Sequence, residues 1–114
     1  MKIPGYTLHG DYYLADKIIP NKTWKEAYEM KEEITLPNGK TVIARTLSKE
    51  ELETIPEEER EFGKWYWTST ICVNNDYAWY MNSVGDLSYT NISYCGNVRL
   101  AFHKNEIKQF LDVE

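Results

Sequence analysis

Cysteine and histidine are scarce in this chain, with two of each among 114 residues. Cys72 and Cys95 fall in different predicted loops and could pair only if those loops meet, so free thiols remain the alternative to a disulfide. No close-spaced pair such as Cys-x-x-Cys occurs, which argues against a zinc site. His9 falls near a turn and His103 at a strand end, positions that favour structural roles over a Cys/His catalytic pair.

Long apolar runs and a basic stripe are also missing. No segment approaches the length that spans a bilayer, and the N-terminus lacks the features of a secretory signal, so we expect a cytoplasmic protein. The net charge is -5 and the pI is near 5.1, which argues against binding to a phosphate backbone. We therefore expect neither a nucleic acid nor a membrane as partner.

Internal repeats, low-complexity tracts and linkers are absent as well. A chain of 114 residues, 42% hydrophobic and 27% charged, suits one globular domain over residues 1–114 and is too short for two independently stable domains. Nine Tyr and four Trp are many for this length. Their positions along the chain carry the clearest structural signal.

The strongest pattern lies in residues 64–102, where aromatic or aliphatic runs alternate with loops rich in Asn, Ser, Gly and Asp. Within the runs the side chains alternate with a period of two, which predicts an antiparallel sheet. Large aromatic residues on the inward phase are interpreted as core. These are Trp65, Trp67 and Trp79, with Trp24 from an earlier helix.

Arg99 lies between Val98 and Leu100 in the last of these runs. An unpaired buried guanidinium is costly, so we expect a structural partner for Arg99 among carboxylates or backbone carbonyls.

Two capping boxes predict helices. Thr23 with Glu26 predicts a helix that begins at Trp24, and Ser48 with Glu51 predicts a second, short helix. Apolar residues at helical spacing are expected to form one face of the first helix. They are Trp24, Ala27, Tyr28, Met30 and Ile34.

Turn residues predict two hairpins. Residues 6–16 are broken at Gly10-Asp11, which predicts a small hairpin or a strand with a turn. Asn38-Gly39 tolerates the positive φ angles of a tight turn, so residues 34–36 and 41–45 are predicted to pair.

Two further segments show helical features. The acidic run at residues 57–61, after Pro56, is interpreted as a solvated turn of helix. Ile107, Phe110 and Leu111 have helical spacing, which predicts a short C-terminal helix over residues 104–113.

The order of motifs resembles a known family, the bacterial C-type-lectin-like domains. The resemblance covers residues 6–102 and includes the branch with small paralogous "Trp-Ser-Ser-Thr" domains, the formylglycine-generating-enzyme fold and the variable proteins of diversity-generating retroelements. It implies an α+β fold in which two helices flank a twisted antiparallel sheet with long loops on one side. The motifs are Thr-Trp-Lys-Glu-Ala (23–27), Ala-Arg-Thr-Leu-Ser-Lys-Glu-Glu-Leu (44–52), Tyr-Trp-Thr-Ser-Thr (66–70), Ala-Trp-Tyr (78–80) and Val-Arg-Leu-Ala-Phe (98–102).

The chain departs from the family in two respects. It has neither the Glu-Pro-Asn nor the Gln-Pro-Asp loop of calcium-dependent sugar binders, and its cysteines do not align with the cysteine pair of the formylglycine-generating enzymes. Because function does not follow from fold, neither activity is implied.

Oxygen-bearing side chains cluster in two loops. Asn74, Asn75, Asp76 and Asp86 could bind calcium if they converged with backbone carbonyls into six or more contacts. The interpretation that we favour is turn formation, since Asn and Asp bond their own backbone and accept left-handed conformations.

The loops of residues 73–77 and 85–97 are rich in Tyr, Ser, Asn and Gly. This mixture is typical of binding loops, and purely structural hairpin loops are the alternative. Relatives in the family display their variable ligand surface in this part of the fold. We predict a ligand-binding site formed by Tyr89, Asn91, Tyr94 and Asn97, with Asn74, Asn75 and Asp76 as a neighbouring rim.

These observations lead to one functional hypothesis and two alternatives. We expect a non-enzymatic binding module without a cofactor, whose ligand is a protein rather than a sugar. Such a domain would suit a phage-borne or accessory protein that engages a host factor such as a defence component. The alternatives are a calcium-dependent binder of a small ligand or carbohydrate, and an unusual enzyme that uses Cys72 or Cys95.

Overall fold

The computed structural model describes residues 3–37, 39–60 and 62–107. Over these ranges the chain forms a mixed α+β fold of antiparallel strands and short helices. The helices are α1 (Trp24–Glu29), α2 (Lys49–Glu53) and α3 (Glu57–Arg60). The strands are β1 (Tyr6–His9), β2 (Tyr12–Ala15), β3 (Ile19–Lys22), β4 (Lys31–Thr35), β5 (Thr41–Thr46), β6 (Tyr66–Ile71), β7 (Tyr77–Met81), β8 (Leu87–Asn91), β9 (Gly96–Val98) and β10 (Leu100–His103).

The strands of the described ranges form three sheets where the sequence predicted one. A five-stranded sheet has the order β1-β2-β10-β5-β4, a two-stranded sheet joins β3 to β9, and a three-stranded sheet has the order β6-β7-β8. Insertion of β10 between β2 and β5 brings early and late strands together. A bulge in β6, described below, limits how far one continuous sheet can extend from the aromatic strands.

Both predicted hairpins are confirmed. β1 pairs with β2, and Gly10 between them has a φ of +61°. β4 pairs with β5, and Gly39 in their turn has a φ of +87°. Such angles favour glycine because a Cβ atom would clash with the backbone.

Both capping boxes are present, but α1 is shorter than predicted. It ends at Glu29, where the spacing of apolar residues had extended it to Ile34. Met30 already has an extended backbone with a ψ of 132°, and Ile34 lies in β4 opposite Val42. The hydrogen bonds of the β4–β5 hairpin therefore override the helical spacing. Tyr28, which was assigned to the buried face, is 54% exposed.

The core consists of two hydrophobic clusters that meet at β6. Trp67 belongs to the first cluster and its neighbour Tyr66 to the second, so consecutive residues of β6 point into opposite sides of the core. Trp67 is completely buried, and its Nε1–H donates to the Lys22 carbonyl at 2.9 Å. Trp24 and Trp65 pack against the first cluster. The core assignment is thus confirmed for Trp67.

Arg99 is buried and has the partner that the sequence predicted. Its Nε–H donates to the Ala15 carbonyl at 2.9 Å, and the guanidinium carbon lies 4.0 Å from the Phe62 ring centroid and 5.5 Å from that of Tyr66. Burial lowers the pKa of the Arg99 guanidinium. One carbonyl and two aromatic rings contact the guanidinium, whereas its buried Nη1 has no hydrogen-bond partner among the described residues.

Glu51 connects α2 to the five-stranded sheet. Its carboxylate accepts two hydrogen bonds from Arg45 at 2.9 and 2.8 Å and one from the Ser48 N–H at 2.8 Å. The bonds from Arg45, then the capping contact with Ser48, lower the pKa of Glu51 from 4.5 to about 2. The charged form of Glu51 is therefore favoured in the folded state.

We expect Glu51→Gln to lower the free energy of unfolding near pH 7 by about 1–2 kcal/mol. The pKa shift of Glu51 alone would correspond to a larger loss of stability. Solvent weakens the ion pair, however, because the Arg45 side chain is 38% exposed. Since the folded-state pKa is depressed, the stabilisation is complete above about pH 4.5 and is lost as the pH falls towards 2. Urea unfolding between pH 2 and 7 measures this difference. The exposed neighbour variant Glu50→Gln is the control, and a constant difference across that pH range would contradict the prediction.

The acidic run at residues 57–60 forms α3 as predicted, and none of these residues is buried. Ile107, predicted to face the body, is buried, whereas Phe110, Leu111 and the other residues of the predicted C-terminal helix after position 107 lie outside the described residues. No helix of the described ranges has the length and apolar composition needed to cross a bilayer.

Candidate functional site

The three-stranded sheet is shaped by a bulge in β6. The register between β6 and β7 shifts between Trp67 and Ile71. At the bulge the Thr68 hydroxyl donates to the Trp79 carbonyl at 2.8 Å, in place of a backbone donor. Bulges of this kind redirect side chains and end regular pairing.

The bulge also attaches the start of α2 to this sheet. The Ser69 N–H donates to the Leu47 carbonyl at 2.8 Å, and the Lys49 N–H donates to the Thr70 hydroxyl at 2.9 Å. The Thr-Ser-Thr segment thereby places Lys49 next to the aromatic residues of β7.

Three aromatic rings lie side by side on one face of β7 and β8. Trp79 is directly opposite Tyr89 in the register, and their ring centroids are 5.3 Å apart in an edge-to-face arrangement. The Tyr77 and Tyr89 centroids are 6.2 Å apart. We call Val73, Tyr77, Trp79 and Tyr89 the aromatic face.

The aromatic face is open to solvent. Val73 is fully exposed, Tyr89 is 59% exposed and Tyr77 is 37% exposed. These residues, with Trp79 and the neighbouring loop, line a shallow groove of about 480 Å³. Contiguous exposed apolar side chains of this kind mark interaction sites.

Lys49 fixes one side of the aromatic face. Its Nζ lies 4.8 Å from the Trp79 ring centroid and 2.6 Å from a Glu53 carboxylate oxygen. The hydrogen bond to Glu53 raises the pKa of Lys49. A cation over an indole face is attracted by the ring quadrupole, so Lys49 and Trp79 attract each other.

Trp79 was assigned to the core from the sequence, and this assignment is wrong. It belongs to neither hydrophobic cluster, whereas its neighbours Ala78 and Tyr80 contact the first cluster. Both phases of β7 carry aromatic residues, so hydrophobicity does not distinguish inside from outside. Ala78 and Tyr80 point towards the core, because Trp67, which is paired with Tyr80 in the register, fills the space next to them in the first cluster.

A second groove lies on the other face of the same sheet. It is formed around Trp65, Tyr80, Thr90 and Tyr94 and has a volume of about 320 Å³. The Trp65 and Tyr80 centroids are 4.9 Å apart, and Tyr94 is 60% exposed.

The structure therefore divides the predicted binding residues between two faces. Tyr89 and Asn74 line the groove of the aromatic face, and Tyr94 lines the groove of the opposite face. Asn91 Oδ1 accepts the Ser93 N–H at 2.8 Å. Asn97 Nδ2 donates to the Trp65 carbonyl at 2.8 Å.

The predicted rim forms a tight turn between β6 and β7. Asn74 Oδ1 accepts the Asp76 N–H at 2.9 Å, and Asn75 has a φ of +61°. The Cys72 N–H donates to the Tyr77 carbonyl at 2.7 Å. These contacts are the turn chemistry that the sequence favoured. Within the described ranges, no three His, Cys, Asp or Glu residues are grouped so that they could hold a metal ion.

The cysteines and histidines lie in separate environments. Cys72 and Cys95 are free thiols, and Cys72 lines the groove of the aromatic face. His9 lies 3.6 Å from Glu59, and burial lowers its pKa. His103 Nδ1 accepts the Asn105 N–H at 3.0 Å.

Lys49 and Trp79 were not predicted as site residues, and Val73 and Tyr77 were included only as the ends of a predicted binding loop. The period-two pattern places Tyr77 and Trp79 on one face of β7, which is a signal that could have grouped them. Lys49 could not be found from sequence, because only the bulge contacts bring it to a strand some thirty positions away.

Neither a protein-family model, a curated protein nor a solved structure matches this chain.

Proposed function

We propose that the chain is a non-enzymatic binding domain that contacts a protein ligand through the aromatic face. The observation that carries this proposal is the grouping of exposed Val73, Tyr77 and Tyr89 around Trp79. Tyr and Trp provide large contact areas at a low entropic cost, and they are enriched where interfaces hold most of their binding energy.

The shape and charge of the aromatic face favour a protein over a small ligand. Its groove is shallow, whereas small molecules bind in concave pockets that enclose most of their surface. Glu53 pairs with Lys49 next to Trp79, and the chain carries a net charge of -5. A partner surface with aliphatic residues and Arg or Lys would complement both the rings and the net negative charge of the chain.

We also propose that the architecture is C-type-lectin-like. Support comes from the pairing of β10 with β2 near the two ends of the described chain. The two capped helices and a separate three-stranded sheet agree with it as well.

We expect Tyr89→Ala to weaken binding by about 2 kcal/mol, roughly 30-fold in Kd, with little change in Tm. The ring is exposed, so its removal leaves no buried cavity. Tyr94→Ala is the matched control, because Tyr94 is an equally exposed tyrosine on the opposite face.

The experiment is affinity capture from the native host with wild-type protein and both variants, followed by calorimetry with the captured protein. Loss of one captured protein with Tyr89→Ala but not with Tyr94→Ala supports the proposal. Equal capture by all three proteins would refute it.

Two further measurements separate the alternatives. A Tm that rises with calcium and falls with chelator would favour a calcium-dependent binder. Rapid reaction of Cys72 or Cys95 with a thiol probe near neutral pH would favour a cysteine-dependent enzyme. The proposed function predicts neither result.

A further inference from the structure

β8 is an edge strand whose outer side has no partner among the described residues. It pairs with β7 on one side only. Unpaired backbone N–H and C=O groups along such an edge are a template for another strand.

The register defines which backbone groups point outward. The Asn82 N–H donates to the Asp86 carbonyl, and the Ile92 N–H donates to the Asp76 carbonyl. Hydrogen-bonded pairs alternate along an antiparallel ladder, so Ser88 and Thr90 direct their backbone groups towards β7. The backbone groups of Leu87, Tyr89 and Asn91 therefore point away from the sheet. Of these, the Asn91 carbonyl already accepts the Tyr94 N–H at 3.2 Å, and the others have no backbone partner among the described residues.

The composition of β8 leaves this edge unprotected. Its sequence, Leu-Ser-Tyr-Thr-Asn, contains no charge and no proline. By contrast, edge strand β4 carries Lys31, Glu32 and Glu33, and β3 contains Pro20. Charges and proline are the usual means of blocking edge-to-edge pairing.

Edge strand β1 offers fewer free groups than β8. It has four residues, and the Tyr6 N–H already donates to the Ile3 carbonyl at 3.1 Å. Edge strand β6 is uncharged as well, but its Ser69 N–H donates to the Leu47 carbonyl and its Thr68 carbonyl accepts the Trp24 indole N–H. Edge strand β9 has only three residues. Of the edges in the described ranges, β8 is thus the one that combines an uncharged sequence with a run of outward-facing backbone groups.

We propose that β8 pairs antiparallel with β8 of a second copy of this chain, about a two-fold axis at Tyr89. Two-fold pairing always places the central residue opposite its own copy. In β4 this residue would be Glu33, and two like charges would face each other. In β8 it is Tyr89, which can pack against a second tyrosine.

The geometry of this dimer follows from the backbone groups of β8 that point away from β7. Tyr89 and its copy exchange both backbone hydrogen bonds, and the Asn91 N–H donates to the Leu87 carbonyl of the other chain. The two three-stranded sheets join into one sheet with the aromatic faces on the same side. Each copy thus extends the proposed binding surface of the other across the Tyr89 pair.

Electrostatics gives the dimer a characteristic salt dependence. The strand itself is uncharged, but each chain has a net charge of -5. Long-range repulsion between the copies is screened by salt, whereas the backbone hydrogen bonds are not. Dimerisation should therefore strengthen as the salt concentration rises.

The test is sedimentation equilibrium of the full chain over a range of protein concentrations. We expect wild type to reach twice the 13.4 kDa mass of one chain. Tyr89→Glu and Tyr89→Lys should each weaken the dimer at least ~10-fold, because like charges then face each other across the axis. Mixing the two variants should restore a dimer, and circular dichroism shows that each variant is folded.

A monomeric wild type at every concentration overturns the proposal, as does a Tyr89→Glu variant that dimerises like wild type. If the mixture of Tyr89→Glu and Tyr89→Lys stays monomeric, Tyr89 does not lie on the two-fold axis and the proposal is wrong. Trp79→Ala separates this inference from the proposed function, since Trp79 lies on the aromatic face but not on the edge. The Trp79→Ala variant should no longer capture the ligand but should still form the dimer.

Discussion

Replacing Trp67 with alanine is expected to lower the free energy of unfolding by about 3–5 kcal/mol. Trp67 is completely buried in the first hydrophobic cluster, so truncation leaves a cavity that the surrounding strands can fill only in part. The change also removes the donor to the Lys22 carbonyl and leaves that oxygen without the bond. A domain of this size has a total stability of about 5–15 kcal/mol, so much of the population could unfold at 37 °C.

Trp79→Ala is the matched control for this prediction. The residue type and the substitution are the same, but Trp79 borders the solvent-filled groove and contacts Lys49 and Tyr89. We expect a loss of about 1 kcal/mol or less, as is usual for substitutions outside the core. Urea unfolding of both variants measures the contrast. Equal losses would mean that Trp79 stabilises the fold as Trp67 does, and that the aromatic face is structural.

Gly96→Ala is expected to cost about 1–3 kcal/mol through overpacking. A Cβ atom at Gly96 would lie 2.1 Å from Cη2 of Trp65 and 2.5 Å from Cζ3. Trp65 cannot move away freely, because it packs edge-to-face against Trp67 and Tyr80. Its ring centroid lies 5.1 Å from that of Trp67 and 4.9 Å from that of Tyr80. Gly96 is therefore required for the close approach of β9 to the Trp65 ring.

A double-mutant cycle tests this origin of the Gly96 effect. Trp65→Leu removes the indole atoms that meet the added Cβ, so Gly96→Ala should cost little in that background. We expect a coupling free energy of about 1–2 kcal/mol between the two positions. Additive losses would show that Gly96 acts through its backbone and not through contact with Trp65.

Local sequence signals predicted the parts of the fold that depend on neighbouring residues. The Thr23–Glu26 and Ser48–Glu51 capping boxes form as expected, because both partners of each box lie within one turn. Turn glycines at positions 10 and 39 mark both hairpins for the same reason.

Predictions from the sequence were wrong where contacts between distant residues compete with the local pattern. The spacing from Trp24 to Ile34 fits a helix, but β5 supplies hydrogen bonds that make residues 31–35 a strand. The tertiary contact decides the outcome because short helices are marginal on their own.

The candidate site was predicted only in part for a related reason. The Tyr/Asn/Ser composition predicted a loop over residues 85–97, and this was wrong for Leu87–Asn91, which form β8. Tyr89 on this strand does lie on the exposed aromatic face. Composition carries no information on which side of a sheet a residue lies once a loop intervenes, so Tyr94 was grouped with Tyr89 although they line opposite grooves.

The central claim is that the aromatic face, and not the core or the opposite face, contacts the ligand. The most direct test is the NMR spectrum of the tryptophan indole N–H groups, which gives four signals for four tryptophans. On addition of the captured protein, the Trp79 signal should shift. The Trp67 signal should stay in place, because its N–H is buried against the Lys22 carbonyl. A Trp79 signal that stays in place while that of Trp65 shifts would contradict the claim and move the site to the opposite groove.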